Sequence, residues 1–460
     1  MNREELMFAI RAYQRSRNPE GFALLARSSH PLDMAAALQG LSPDQLAPLL
    51  MALDTQARAD LFAHFDGALQ DRLVCALPRA LVLELFEHMP ADDRADLFNR
   101  MDAPDKPGLL AALDRAERED ILCLSSYAEG TVGAATTSDF VAVDAGMTVA
   151  EALAHIRATA SDKETIYVVF VLDARQSLRG TVSLRDLVLA DAGRSIGDIA
   201  QPDPVCVHAG WPQARASEII RRYDLLAVPV VSDNQRMIGI VTVDDAMDIE
   251  KAEDATQLAR FGGTASMGGN DLDVVSTPLR TMFGVRVFWL AMLTVFGIIT
   301  STFVASQEEL LSQVIVLAAF IAPIVDMGGN TGSQSATLVI RAMALGELEL
   351  KWRHVWFVIR REIPVALLLG LCVAVLEAIL AYFSKGVGVE VLLVVGLSML
   401  VCTVAGGIIG ALLPFAARRI GTDPATLSSP LITSVMDLLG VFIYFGFAWL
   451  FLGDLLATGT

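Results

Sequence analysis

The sequence predicts a multidomain protein: a cytosolic α-helical superhelix, a tandem pair of α/β modules, a connecting helix, and an α-helical transmembrane domain with five helices. Three observations predict this. First, the 53% hydrophobic content of the 460 residues is spread unevenly: up to about Leu279 the chain is charged, and from Val285 onward long apolar runs dominate. Second, LDTQARADLFAHFD (53–66) recurs as MPADDRADLFNRMD (89–102), an offset that matches helix-pair repeats. Third, IYVVFVLDARQSLRGTVSLRDLV (166–188) is echoed by LAVPVVSDNQRMIGIVTVDDAM (226–247), with Gly180 and Gly239 in register.

In chain order, residues 1–130 carry leucines and phenylalanines at helical spacing with polar residues between them, which predicts the superhelix. Residues 131–200 and 201–248 are two copies of one β-β-α unit, each preceded by a helix. Their apolar strands need one another for burial. A connecting segment, 249–279, opens from the acidic run DDAMDIEKAEDATQLARFGG (244–263), which taken alone reads as a solvated helix face. Residues 280–460 hold five candidate spans at 285–305, 313–340, 364–383, 391–417 and 431–451, each long enough for a hydrocarbon core of about 30 Å.

Loop charges set the direction. Arg280, Arg286, Arg341, Lys351, Arg353, Arg360, Arg361, Arg418 and Arg419 fall on one side and Lys385 on the other, so the amino-terminal half is expected in the cytoplasm and the carboxyl terminus outside. The opening MNREELMFAI has no hydrophobic signal core, in keeping with that direction. The net charge of −18 lies mostly in the first half, which argues against nucleic acid and against docking on anionic lipid. Five cysteines without paired spacing and six histidines without ligand spacing indicate neither a disulfide frame nor a zinc site.

Polar residues inside the spans mark the candidate chemistry. Asp326 and Asp437 lie in apolar runs with no intramembrane Lys or Arg to pair them, so they are expected to meet water, a cation or a proton. Gly328-Gly329-Asn330 is read as a helix break that frees carbonyl oxygens, and Gly406, Gly407, Gly410 and Pro414 as an interruption of the fourth span. Together these describe an oxygen-lined path for a hard cation. Against it stands packing: small residues at four-residue spacing, such as Ser333 and Thr337, are more often helix contacts than ligands, and Asp437 could be a cap. Glu377 lies near the outer end of its span and reads as interfacial.

Gly180-Thr-Val-Ser183-Leu-Arg-Asp186 and Gly239-Ile-Val-Thr242-Val-Asp-Asp245 resemble the end of a CBS module. Pro323 with Gly328-Gly329-Asn330-Thr331-Gly332-x-Gln334-Ser335 and Arg341-Ala342 resembles the MgtE family of magnesium channels and transporters. So do Leu413-Pro414, Asp423-Pro424-Ala425, Pro430 and Thr433-x-x-x-Asp437. The domain order extends the resemblance over essentially the whole chain, which implies a non-enzymatic, multi-pass protein of the bacterial inner membrane, surrounded by lipid.

The resemblance further implies a homodimer whose pore lies between subunits, lined mainly by the second and fifth spans, with Asp437 as the pore carboxylate and Asp326, Asn330 and Gly328 beside the path. Mg²⁺ is then both the permeant and the regulatory ion: the connecting segment acts as a plug helix, and Asp224, Asp245, Asp248 and Glu253 match sensor positions. Thr256, Gln257, Pro212 and Ala214 stand where the family usually has acids, which implies a weaker sensor, and Ala135-Thr136 replaces a common Met-Thr. CBS pairs commonly bind adenine nucleotides such as ATP, with Ser183 and Asp186 or Thr242 and Asp245 at the ribose, although a plain turn cap has the same spacing. The competing expectations are a carrier of broader divalent range (Co²⁺, Mn²⁺), a proton-coupled carrier in which Asp326 or Glu377 titrates, and a membrane-tethered CBS sensor.

Overall fold

The computed structural model describes residues 3–16, 18–160, 163–262, 264, 272, 277–426 and 429–458. Met1, Gly263 and most of 265–276 in the connecting segment lie outside the described residues. The chain forms two compact units, Met1–Lys251 and Ala252–Thr460.

The first unit begins with short helices from Arg3–Ser16 to Arg115–Leu124. Aspartates start several of them: Asp54 accepts from Ala57 N (2.9 Å), Asp66 from Leu69 N (2.6 Å) and Asp114 from Glu117 N (2.8 Å), each satisfying a backbone donor the helix cannot. Leu38, Leu46, Phe62, Leu73 and Phe86 fill one continuous core. The sequence repeat has a physical counterpart. Arg58 Nε donates to Leu50 O (2.9 Å), eight residues back at the end of the preceding helix, and Arg58 Nη1 pairs with Glu84 Oε2 (2.6 Å), 26 residues on. At the same spacings Arg94 reaches Phe86 O (3.4 Å) and Asp120 Oδ2 (3.3 Å). A guanidinium thus reaches a helix-end carbonyl and an acid 26 residues on in both copies of the repeat. Arg58→Ala, which strips these bonds from a buried site, is expected to cost about 3 kcal/mol. Hydrogen exchange of the full-length protein should then quicken by about a hundredfold in the two helices Arg58 joins, and Arg58→Lys should restore only part.

Two small sheets follow. The first is ordered β1 (Ala142–Val143), β2 (Val168–Leu172), β3 (Leu178–Ser183), β4 (Gln201–Pro202), and the second β5 (Val207–His208), β6 (Ala227–Val231), β7 (Met237–Thr242). β1 lies parallel to β2 and β5 to β6, while β2–β3 and β6–β7 are antiparallel, each with a register shift near its end. The aligned glycines mark where a further segment crosses the last strand. A Cβ on Gly180 would meet Gln201 O at 2.9 Å, and one on Gly239 would meet Thr137 O at 2.2 Å. Phe170, Leu172, Ala227, Met237 and Ile240 form a core shared by the two modules.

A helix from Val243 to Phe261 runs out of the second module and ends in the second unit. In that unit five helices are long and apolar enough to cross a membrane: Leu279–Ala305, Ile315–Ala344, Trp352–Lys385, Val389–Arg419 and Pro430–Gly453. The first has no buried residue and meets the fifth through Phe303 and Phe442, rings 4.2 Å apart. The fourth packs against the second, third and fifth. Tyr444 Oη donates to Leu317 O (2.9 Å), tying the fifth span to the 3₁₀ turn that opens the second.

Neither expected helix break exists. The second span is continuous helix from Ala318 to Ala344 through Gly328-Gly329-Asn330, and the fourth from Val389 to Arg419 through Gly406, Gly407, Gly410 and Pro414. The glycines serve close approach instead. A Cβ on Gly406 would lie 2.2 Å from Gly328 O, and one on Gly410 2.0 Å from Gly332 O. The two backbones therefore touch along a seam that no other residue type permits.

Candidate functional site

Asp326 and Asn330 stand one helical turn apart on an exposed face of the second span, Asn330 Nδ2 donating to Asp326 Oδ2 (3.2 Å). Asp437 on the fifth span is half-buried and near enough to Asp326 for their charges to interact. Gly328, expected beside them on the path, is buried on the other side of the helix, where a Cβ would meet Met436 Cε at 2.8 Å and Cys402 O at 3.3 Å. Its carbonyl abuts Gly406. The structure thus brings together Asp326, Asn330 and Asp437 and gives Gly328 to packing.

In the first unit the acids gather between the helical domain and the α/β modules. Asp93 is pushed up to about 8, by burial first and then by the charges of Asp92, Asp96 and Asp245. Burial and the neighbouring Asp96 and Asp139 raise Asp92 as well, against two backbone hydrogen bonds that lower it. Asp245 is pushed up to about 6 by burial and Asp92, with a Thr242 hydrogen bond opposing. Glu164 rises to about 7 through desolvation and then Asp92, Asp245 and Asp244. Nearby, Asp139 is paired by Lys163 (3.4 Å) and Arg94 (4.0 Å), beside a polar cavity of about 580 Å³ lined by His88, Arg94, Lys163 and Glu164 among others.

Asp224 closes the helix Ala214–Tyr223 in a left-handed conformation, φ 53°, Asp248 is exposed, and Glu253 belongs to the second unit. Among the described residues no three His, Cys, Asp or Glu side chains converge as a ligand set. At the far end of the helix Val243–Phe261, Arg260 pairs with Asp423, the acid ahead of the fifth span. At the nucleotide candidates, Ser183 Oγ accepts from Asp186 N (3.0 Å) and donates to Asp186 Oδ2 (2.6 Å), and Thr242 Oγ1 donates to Asp245 Oδ2 (2.6 Å). Ser183 caps the helix Leu184–Leu189, and Thr242 immediately precedes the helix Val243–Phe261.

Sequence reasoning passed over Asp92, Asp93 and Glu164. A signal was present for the first two: the second copy of the repeat has Asp92-Asp93 where the first has Gln56-Ala57, a departure that packing of the repeat does not require. Glu362, beside Arg360 and Arg361, was passed over too, yet it contacts Ser335 at 2.5 Å inside the helix bundle.

Five apolar spans behind a helical domain and a CBS pair, with carboxylates in the second, third and fifth spans, define a multi-pass membrane transport protein. Residues 29–130 match the MgtE intracellular N domain, 132–193 and 196–251 the CBS domain, and 321–447 the divalent cation transporter domain MgtE. The chain is 37% identical over 335 residues to the magnesium transporter MgtE of Thermus thermophilus, covering 72% of each chain. It is 34% identical over 333 residues to that of Enterococcus faecalis, covering 72% of this chain and 71% of the other. The crystal structure of the cytosolic domain of the Mg²⁺ channel MgtE in complex with ATP is similar at a TM-score of 0.51 and 30% identity, over 53% of this chain and 99% of that one. The chain belongs to the MgtE family of divalent cation transporters, and its amino-terminal half is the family's cytosolic part. It is a transporter and not an enzyme.

Proposed function

We propose that this protein is a Mg²⁺-selective channel of the bacterial inner membrane, with its carboxyl terminus outside, gated by intracellular Mg²⁺ through the helical domain and the CBS pair. The observation that carries the proposal is the carboxylate face: Asp326 and Asn330 on the second span and Asp437 on the fifth, with no cationic partner among the described residues. In a homodimer two such faces line one path. Mg²⁺ holds its octahedral water shell tightly, and carboxylates that bind that shell, without a converged ligand set, suit a largely hydrated ion.

Gating follows from the acids of the first unit. Asp92, Asp93, Glu164 and Asp245 repel one another when the helical domain and the CBS pair meet, and a divalent ion reverses the sign of that interaction. The helix that carries Asp245 continues to Phe261, and Arg260 near its end pairs with Asp423, so one element connects the sensor acids with the segment ahead of the fifth span. The CBS pair takes an adenine nucleotide, with Ser183, Asp186, Thr242 and Asp245 at the ribose side.

The sign of the pH dependence is fixed. Because the folded pKa values lie above the ordinary carboxylate range, the apposition is most stable below that range and loses stability as pH rises through about 6 to about 8. Limited proteolysis of the full-length protein without divalent ions should therefore show protection at low pH that disappears across this window, and Mg²⁺ should restore it at the alkaline end. Asp93→Asn with Asp245→Asn should flatten both responses. A wild-type profile independent of pH and of Mg²⁺ would place the sensor elsewhere. Liposome flux of Mg²⁺ and Co²⁺ with and without a pH gradient separates a channel from a proton-coupled carrier.

A further inference from the structure

The third span meets the second through charged side chains near its two ends. At the outer end Lys385 Nζ lies 3.8 Å from the centroid of the Phe320 ring and 3.5 Å from Ala319 O. Toward the cytosolic end Glu362 Oε1 is 2.5 Å from Ser335 Oγ. Ser335 is buried, and its oxygen also lies 3.0 Å from Thr331 O. Room for the carboxyl comes from the fourth span: a Cβ on Gly407 would stand 3.2 Å from Glu362 Oε1, 3.1 Å from Ala366 Cβ and 3.6 Å from Ser335 Oγ. Three spans thus converge on one carboxyl, whose neighbour Arg361 is turned onto the ring of Phe357, 5.6 Å away.

We propose that Glu362 is a positioning residue of the ion pathway, clamping the second span at Ser335 and so holding the register of the face that carries Asp326 and Asn330. This rests on the reading of that face as the path. Ser335 is five residues beyond Asn330, about 7.5 Å along the helix, so a shift or rotation at the clamp reaches the polar face undiminished. The seam of the second span with the fourth is backbone against backbone at Gly328–Gly406 and Gly332–Gly410. Such a seam fixes closeness but has few side chains to fix rotation, and a directional hydrogen bond supplies that constraint.

The Ser335 hydroxyl has one hydrogen and two acceptors within reach, the Glu362 carboxyl and Thr331 O. Glutamine at 362 would donate an amide hydrogen to Ser335 Oγ and free the hydroxyl for Thr331 O. The clamp then survives without the charge, which separates positioning from electrostatic action on the ion.

The test is Mg²⁺ uptake by full-length protein in liposomes, with the Co²⁺ to Mg²⁺ rate ratio as a second readout that a loss of folded protein alone leaves unchanged. Glu362→Ala and Ser335→Ala should each lower uptake by about tenfold, shift the ratio in the same direction, and give no further loss when combined. Glu362→Gln should keep uptake within about twofold of wild type. Should Glu362→Ala fail to fold, Gly407→Ala provides the second variant: its methyl crowds the carboxyl, and it should shift the ion ratio in that same direction. Wild-type uptake and ratio in Glu362→Ala, additive losses in the double variant, or Glu362→Gln as impaired as Glu362→Ala would overturn the clamp. Asp437→Ala, measured alongside, tells the two readings apart: retained uptake there removes the pathway itself, whereas a dead Asp437→Ala beside a normal Glu362→Ala removes only the clamp.

Discussion

Asp437→Ala is expected to abolish Mg²⁺ uptake. Asp437 is half-buried on the fifth span, within electrostatic reach of Asp326, and the proposed homodimer would present it twice. At an effective dielectric of about 20, a carboxylate some 5 Å from a divalent ion gains about 7 kcal/mol before desolvation is counted. Removing two such groups leaves the hydrated ion without the charge that draws it from water, a loss of many powers of ten in occupancy. Asp437→Asn keeps the shape and loses the charge, so it should fail as well, while Asp437→Glu should retain part of the flux. Growth of a Mg²⁺-auxotrophic strain and liposome flux both measure this. Wild-type growth on Asp437→Ala would falsify the pore assignment.

How much of this was legible in the sequence varies with the physics involved. The spans were legible because lipid forces apolar content wherever the chain crosses it. Their ends were not: the third helix begins at Trp352, twelve residues before the apolar run at 364, because helix formation continues through Arg353, Arg360 and Arg361, where water can solvate the charges. The duplicated α/β units were legible from Gly180 and Gly239, since a position forced to lack a Cβ recurs with the fold. Asp326 and Asp437 were readable from their cost in an apolar run, and Asn330 only as part of the Gly-Gly-Asn segment and the family motif. Glu362 and Ser335 were not, for their meeting depends on how two distant spans cross.

The Gly-Gly-Asn segment shows why composition alone misled. Glycine disfavours helix by about 1 kcal/mol relative to alanine, and in isolation the sequence reads as a break. A missing Cβ has a second consequence, however: it lets two helices touch backbone to backbone, and the contacts so gained offset the propensity loss. Neighbours decide which consequence prevails, and here Gly328 and Gly332 face Gly406 and Gly410. The same four-residue spacing in both spans was visible in the sequence, though which face it occupied was not.

That seam gives the second large expected effect. Gly410→Ala places a methyl carbon about 2.0 Å from Gly332 O, a backbone atom with no rotamer to escape into. Relief requires the second and fourth spans to separate by more than an ångström along the seam, which also loosens Gly328 against Gly406. Overpacking of an adaptable core costs about 1–3 kcal/mol, and contact with fixed backbone should reach or exceed the top of that range. Gly396 lies on the same helix with nothing within 4 Å of an added Cβ, so Gly396→Ala should be neutral or slightly stabilising, by up to about 1 kcal/mol from helix propensity. The comparison cancels the helix, the substitution and the membrane, leaving the seam as the variable. The fraction of full-length protein eluting as a single species from detergent after a heating series measures it: Gly410→Ala should aggregate at markedly lower temperature than wild type, and Gly396→Ala should not. If the two variants behaved alike, the backbone contact would be looser than described, and the helix break first suggested by Gly328-Gly329-Asn330 would return as the better account of those glycines.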